Sequence, residues 1–490
     1  MEFAPNRKAL VAVDLGAQSC RVSLLRWNED HPEIEVVHRY ANAPHSMNGD
    51  LRWSLDAIFE GIMAGLYACA VRAPEGIASV AIDGWAVDYV RLDCKGDPVA
   101  LPFCYRDART EESEVEVHSI MPAASLYALT GIQIMRLNTL YQLYADKLAG
   151  EDVHTPWINL PEFMTYRLCG KRASEYTNAT HTGLVQLGTH SWCPEIFNAL
   201  GLDVEAAPQI VAAGTILGPL TGDLARLPAF RDTQVILPAC HDTASAVAAI
   251  PAVGDDWAFI SSGTWSLVGT VLNAPCVTGE ACAQNFTNLG GVSGRISFLK
   301  NVNGLWLLRQ CMDEWELQGF NISFEDIVSR CASLPAPPAL INVDEPELML
   351  PGNMLGKINS QLERVGQPHF TVNHSNILLV ANTIFHSMAR RYAEVLSATG
   401  KITGRKLRRL FIVGGGSKNR LLNRLTAERT GLEIVLGSPE STTIGNFAVQ
   451  MAALENPQAC AGGVTADSVA KWAEWLSAIP LVIASGRQTN

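Results

Sequence analysis

Lys8-Ala9-Leu10-Val11-Ala12-Val13-Asp14-Leu15-Gly16-Ala17-Gln18-Ser19-Cys20-Arg21-Val22-Ser23-Leu24-Leu25-Arg26-Trp27 is two apolar runs of strand length joined by a short polar bend that contains a glycine. That pattern predicts a β-hairpin. A third run at residues 34–40 follows a turn-like stretch at residues 28–32. Beyond Ser54 the period changes: Leu55, Ile58, Phe59, Ile62, Met63 and Leu66 recur at helical spacing, and Pro74 and Gly76 close the helix. Residues 77–82 read as a further strand. The order strand-strand-strand-helix-strand differs from a dinucleotide-binding unit, in which helices alternate with parallel strands from the start.

The same order begins again past the middle of the chain. Residues 258–261 and 265–272 are apolar runs separated by Ser262-Gly263-Thr264, residues 296–299 supply a third strand, and residues 304–315 the helix after it. Residues 407–413 run as a strand into Gly414-Gly415-Gly416-Ser417-Lys418-Asn419, and Leu421, Leu422 and Leu425 mark the next helix. We read this as a pseudo-repeat, with the boundary at residues 245–255 around Pro251 and Gly254. Residues 332–370, rich in proline and glycine, read as an irregular excursion from the second half.

At 490 residues, with 48% hydrophobic and 18% charged residues, the chain has the composition of an ordinary soluble globular protein. Its formal net charge of −12 and lack of a basic run argue against nucleic acid as a partner. No stretch of about 18 apolar residues offers a membrane span, and the first residues lack the apolar core of a signal peptide. The twelve cysteines stand singly from Cys20 to Cys460 without a CxxC, as expected of reduced thiols in a cytoplasmic protein. The sequon at Asn178 is then incidental.

Three small-residue bends stand at strand ends, at residues 14–21, 261–265 and 414–419. Small residues let backbone N–H groups approach phosphate, although any one such bend could equally be plain turn chemistry. Neither GxxxxGK[ST] nor GxGxxG occurs in the right place, which disfavours a P-loop or a Rossmann site. Asp14, at the end of a buried strand, fits either a magnesium partner or a turn cap. Asp242, in Cys240-His241-Asp242-Thr243 after an apolar strand, fits either a general base or the start of a helix. No HExxH or G-x-S-x-G is present, and His241 has no cysteine at metal spacing.

Taken together, the segments Val11 to Arg21, Ile260 to Ser266 and Phe411 to Asn419, with His241-Asp242-Thr243 between them, resemble the FGGY family of carbohydrate kinases. The likeness covers nearly the whole chain. Asn138-Thr139-Leu140-Tyr141-Gln142-Leu143, Glu175-Tyr176-Thr177-Asn178-Ala179-Thr180, Leu299-Lys300-Asn301 and Gly304-Leu305-Trp306-Leu307-Leu308 resemble the branch of that family acting on L-configured 6-deoxyketoses. The resemblance implies an α/β fold of two actin-like, ribonuclease-H-like domains with the active site in the interdomain cleft. Residues 1–248 would hold sugar, and residues 249–490 would hold ATP.

By the same resemblance, Ala17, Gln18, Ser19, Cys20, Arg21, Thr264, Arg309, Gly415, Gly416 and Asn419 contact ATP. Ala86, His241, Asp242, Thr243 and Asn301 contact a ketose, Asp242 accepts the proton of its C1 hydroxyl, and Asp14 holds Mg2+ directly or through water. A monomer or homodimer is expected. Three positions depart from the branch's pattern: Cys20 and Ala86 replace glycines, and Arg309 replaces a glutamine. Other ketoses remain open as substrates, and the rival classes are an actin-like or chaperone-like ATPase and a catalytically dead regulatory paralogue that only binds sugar.

Overall fold

The computed structural model describes residues 8–28, 31–456, 463–479 and 481–483. Part of the turn expected at residues 28–32, and all of Cys460, lie outside the described residues. The chain divides into two compact units: residues 1–251, 272–297 and 441–490 form the first, and residues 252–271 and 298–440 the second.

In the first unit Ala9–Leu15 pairs antiparallel with Ser19–Asn28, which sets Asp14 opposite Arg21 and Leu15 opposite Cys20. Ile77–Gly84 lies parallel to the first strand with Asp83 beside Asp14. The seven-stranded sheet runs in the order Ile216–Pro219, Gln234–Ile236, Ile77–Gly84, Ala9–Leu15, Ser19–Asn28, His31–Ala41, Leu481–Ile483. Side chains alternate between the two faces of a strand. Leu10, Ala12 and Leu25 enter a core with Phe447 and Trp472, so Asp14 and Arg21 emerge further along that face, on the side of helix Ser441–Glu455. Cys20, one residue out of step, faces the other way.

The expected helix is Leu55–Arg72, and the Ser54 side chain accepts the Ala57 N–H at 3.3 Å. Such caps contribute about 0.5–2 kcal/mol. A two-residue hairpin that the sequence reading passed over joins His45–Met47 to Asp50–Arg52. Its turn residues Asn48 and Gly49 both have positive φ, of 53° and 95°. Asn-Gly is a strong hairpin signal, and it stood in the sequence.

The second unit repeats the plan. Trp257–Ser262 and Trp265–Leu272 pair antiparallel, and Arg409–Val413 runs parallel to the first of them. Five strands of a six-stranded sheet run there in the order Ile296–Asn303, Trp265–Leu272, Trp257–Ser262, Arg409–Val413, Glu433–Leu436. Helix Trp306–Leu317 follows the third strand. Contrary to the expectation from composition, residues 332–370 are not wholly irregular. They contain helix Met354–Arg364, with Met354, Ile358 and Leu362 buried. Four-residue spacing of three apolar side chains was enough to form it despite the proline and glycine around it.

Among the described residues all eleven cysteines are free, and no helix is long and apolar enough to cross a membrane.

Candidate active site

Three parallel strand ends carry the chemistry of the first unit. Leu15 accepts the Trp85 N–H at 3.1 Å, and Cys240 accepts the Gly84 N–H at 2.9 Å, so the chain segments leaving all three lie side by side. The bend after Asp14 is tight: a Cβ on Gly16 would stand 2.5 Å from the Ser19 carbonyl oxygen. Asn42 holds the bend, donating its side-chain amide to Gly16 O at 3.1 Å and its backbone N–H to Gln18 O at 3.0 Å. Gln18 is exposed, Ala17, Ser19 and Arg21 are partly so, and Cys20 is buried. Burial pushes the Cys20 thiol up to about 12. Its thiol donates to Gly16 O at 3.6 Å, so the side chain is engaged within the bend.

Asp14 is buried and accepts the Arg21 Nε–H at 2.6 Å. Beside it Asp83, which the sequence reading did not single out, has no exposed surface. Asn446 donates to Asp83 Oδ2 at 2.5 Å, and Gln450 donates to Asn446 Oδ1 at 2.7 Å and to Val11 O at 3.0 Å. Asp83 Oδ1 is buried without a hydrogen-bond partner. Burial, then the charges of Asp14 and Asp242, push the Asp83 carboxyl well above the carboxylate range. Asp14 and Asp83 thus lie side by side, with Arg21 paired to Asp14 and the charge of Asp242 felt at Asp83.

Asp242 is the first residue of helix Asp242–Ala248; the N-cap position is His241, with no side-chain cap bond. Asp242 therefore does not serve as the helix cap. About a third of its side chain is exposed (32%), and the surrounding protein raises its carboxyl to about 6, against hydrogen bonds from Thr243 and the charge of Arg21. His241 Nε2 lies 3.3 Å from Asp242 Oδ1.

The segment leading into Asp242 hangs on the Glu175–Thr180 motif. Cys240 N–H donates to Glu175 Oε2 at 2.8 Å and His241 N–H to Thr177 Oγ1 at 3.3 Å. Glu175 N–H and the Asn178 amide donate to Glu162, at 3.2 and 2.7 Å. Burial raises Glu162 to about 8 and Glu175 to about 7. A carboxyl whose folded pKa is raised loses its stabilising contribution as pH rises from its unfolded value, about 4.5, through the folded one. Glu162→Gln removes that loss. The melting temperature of the variant relative to wild type should climb between pH 5 and pH 9, and a flat difference would show that Glu162 does not titrate there.

Ala86 sits in a loop that is held in strain. Val87 has φ of 72°, a left-handed conformation that costs a β-branched residue about 1–3 kcal/mol. Thr139 Oγ1 donates to Val87 O at 2.7 Å, while Asp88 accepts from Trp53 Nε1 at 2.6 Å, Trp85 Nε1 at 2.9 Å and Gln142 Nε2 at 3.3 Å. The Asn138–Leu143 motif thus braces the wall that carries Ala86.

In the second unit two bends meet. A Cβ on Gly416 would lie 2.0 Å from Ser262 Oγ, and one on Gly304 would lie 2.7 Å from Thr264 O. Leu305 N–H donates to Gly263 O at 3.1 Å, which seats the 261–265 bend at the start of helix Trp306–Leu317. Gly263 and Gly415 are exposed, and Thr264 and Asn301 are half-buried. Asn419 is buried and caps helix Arg420–Thr430, its Oδ1 accepting the Leu422 N–H at 3.0 Å. Arg309 is exposed and pairs with Asp313 at 2.7 Å.

A hairpin-and-bend plan is built twice, with small-residue bends at strand ends in both units and a carboxyl of raised pKa in one, an arrangement suited to phosphoryl transfer to a hydroxyl. Residues 9–249 match the N-terminal domain, and residues 258–454 the C-terminal domain, of the FGGY family of carbohydrate kinases. The chain belongs to that family and is an ATP-dependent sugar kinase. It is 36% identical over 444 residues to rhamnulokinase of Bacteroides thetaiotaomicron, covering 90% of this chain and 89% of that one. It is 35% identical over 455 residues to rhamnulokinase of Enterococcus faecalis, covering 91% and 90%. Its fold is that of the xylulose kinase and the gluconate kinase of Lactobacillus acidophilus. TM-scores to these are 0.73 and 0.72, at 16% and 15% identity, with 96% of each chain covered.

Proposed function

We propose that the protein transfers the γ-phosphate of ATP to the C1 hydroxyl of L-rhamnulose, giving L-rhamnulose 1-phosphate and ADP. The observation that carries the reading is Asp242, a partly exposed carboxyl raised to about 6 at the start of helix Asp242–Ala248, behind a segment fixed by buried Glu175 and Thr177. The likeness to the two rhamnulokinases supports the choice of sugar.

In the proposed reaction Asp242 accepts the hydroxyl proton as the sugar oxygen bonds to the γ-phosphorus and the bond from that phosphorus to the β,γ-bridging oxygen breaks. His241, Thr243, Ala86 and Asn301 would hold the sugar. Residues 17–21, Thr264, Gly415 and Gly416 would offer backbone and side-chain donors to the nucleotide. Arg309, paired with Asp313, and Asn419, engaged as a helix cap, are the weaker assignments among the ATP contacts.

Among the described residues no three metal-binding side chains converge as a cage. Magnesium sites of one or two carboxylates completed by phosphate and water need none. Asp14, with the unpartnered Asp83 oxygen nearby, fits such a site. A bound Mg2+ would neutralise charge on the transferring phosphates. We take the working form as a monomer or homodimer in the cytoplasm, a compartment that the free cysteines among the described residues fit.

Competition assays test the sugar. L-rhamnulose should give the highest kcat/KM, L-fuculose the next, and D-xylulose and glycerol should trail both. Preference for D-xylulose or glycerol would overturn the assignment. One methyl at a sugar wall shifts preference by about 10- to 200-fold. Ala86→Gly should therefore change the ratio between the two deoxyketoses more than it changes the KM for ATP.

A further inference from the structure

Sixty residues before His241 in sequence, His181 reaches the same spot. Its Nε2 lies 3.0 Å from His241 Nδ1, the ring centroids are 3.9 Å apart, and His241 Nε2 lies 3.3 Å from Asp242 Oδ1. Both imidazoles are buried, at 7% and 6% exposure. Burial holds His241 at about 3 and His181 well below the usual histidine range, so both are neutral at physiological pH.

A neutral imidazole has one donor and one acceptor nitrogen, and an ionised carboxylate can only accept. Where His241 donates to ionised Asp242 across the 3.3 Å contact, its proton sits on Nε2. Its Nδ1 is then an acceptor, and the only arrangement that satisfies both contacts makes His181 Nε2–H the donor. Without that donor, His241 could place its proton on Nδ1 and turn a lone pair toward the carboxylate.

We propose that His181 is a positioning residue that locks His241 in the Nε2–H tautomer and so orients Asp242 toward the sugar hydroxyl. The inference rests on the reading of Asp242 as the base. His181 itself is well anchored, with Asn138 Nδ2 donating to its backbone carbonyl at 3.0 Å. Thr177, in the same Thr177–Thr182 stretch, accepts the His241 N–H. One short segment thus fixes both the backbone and the ring of the residue before the base.

The test uses the full-length chain with 15N-labelled histidine. Above pH 7 long-range 1H–15N spectra should report His241 in the Nε2–H form; finding the Nδ1–H form in the wild type overturns the proposal without any variant. His181→Leu should lower kcat by about 10- to 100-fold, as loss of a residue that orients an active group commonly does. The KM for ATP should stay unchanged, and the His241 signals should become a tautomer mixture. His181→Gln, which keeps an N–H donor, should recover most of the loss. Wild-type kcat in His181→Leu, or equal impairment of the Leu and Gln variants, overturns the relay. Asp242→Asn separates the two claims: full turnover in that variant removes the base itself, whereas an inactive Asp242→Asn beside an unimpaired His181→Leu removes only the relay.

Discussion

Asp242→Asn should lower kcat by about 10²–10⁴, the range for loss of a general base, while nucleotide binding by titration calorimetry stays within error. The substitution keeps the size of the side chain and its place at the start of the helix, so the fold should survive. Near-native turnover would sink the assignment. The same carboxyl sets a pH prediction. Asp242 works as a base only when ionised, and its pKa is raised to about 6. Turnover should therefore fall as pH drops through about 6, well above the range of an ordinary aspartate. His241, held at about 3, cannot produce that limb. An acid limb at pH 4 would mean that the carboxyl titrates as an ordinary aspartate and that its pKa is not raised.

Asp14→Asn should raise the magnesium concentration needed for half-maximal rate by about 10- to 100-fold, the usual loss when a metal site's supporting carboxylate is removed. The sugar KM should change little. Arg21 complicates the outcome, because Asp14 accepts its Nε–H at 2.6 Å and the variant weakens that pair. Arg21→Gln separates the effects: it leaves the carboxylate in place, so it should not raise the magnesium requirement. Superimposable magnesium titrations for wild type and Asp14→Asn would reduce Asp14 to a turn residue.

Much of the scaffold was legible because it is local. The first hairpin, the helix after Ser54 and the strand running into Gly414 follow from apolar periodicity and turn chemistry within short windows. Helix Met354–Arg364 was missed through weight given to composition over spacing, and the Asn48-Gly49 hairpin through its short strands. The motifs at residues 138–143 and 175–180 were visible as segments, but their work was not. They brace the Ala86 wall and the strand end before Asp242, through bonds spanning 52 and 65 residues of sequence.

By itself the sequence determined the two-fold α/β plan, the three small-residue bends and the sugar-kinase family, and it offered Asp14 and Asp242 as candidates. Each is carried by residues close together in the chain, where spacing records backbone geometry. Only the tertiary structure decided that Cys20 is buried with its thiol donating to Gly16 O, and that Asn419 caps a helix. It also brought Asp83, Asn446 and His181 to the strand ends that carry Asp14 and Asp242. Those residues come from strands and helices tens to hundreds of positions apart, and burial beside another charge or ring gives them their chemistry. No local pattern encodes that environment; packing creates it.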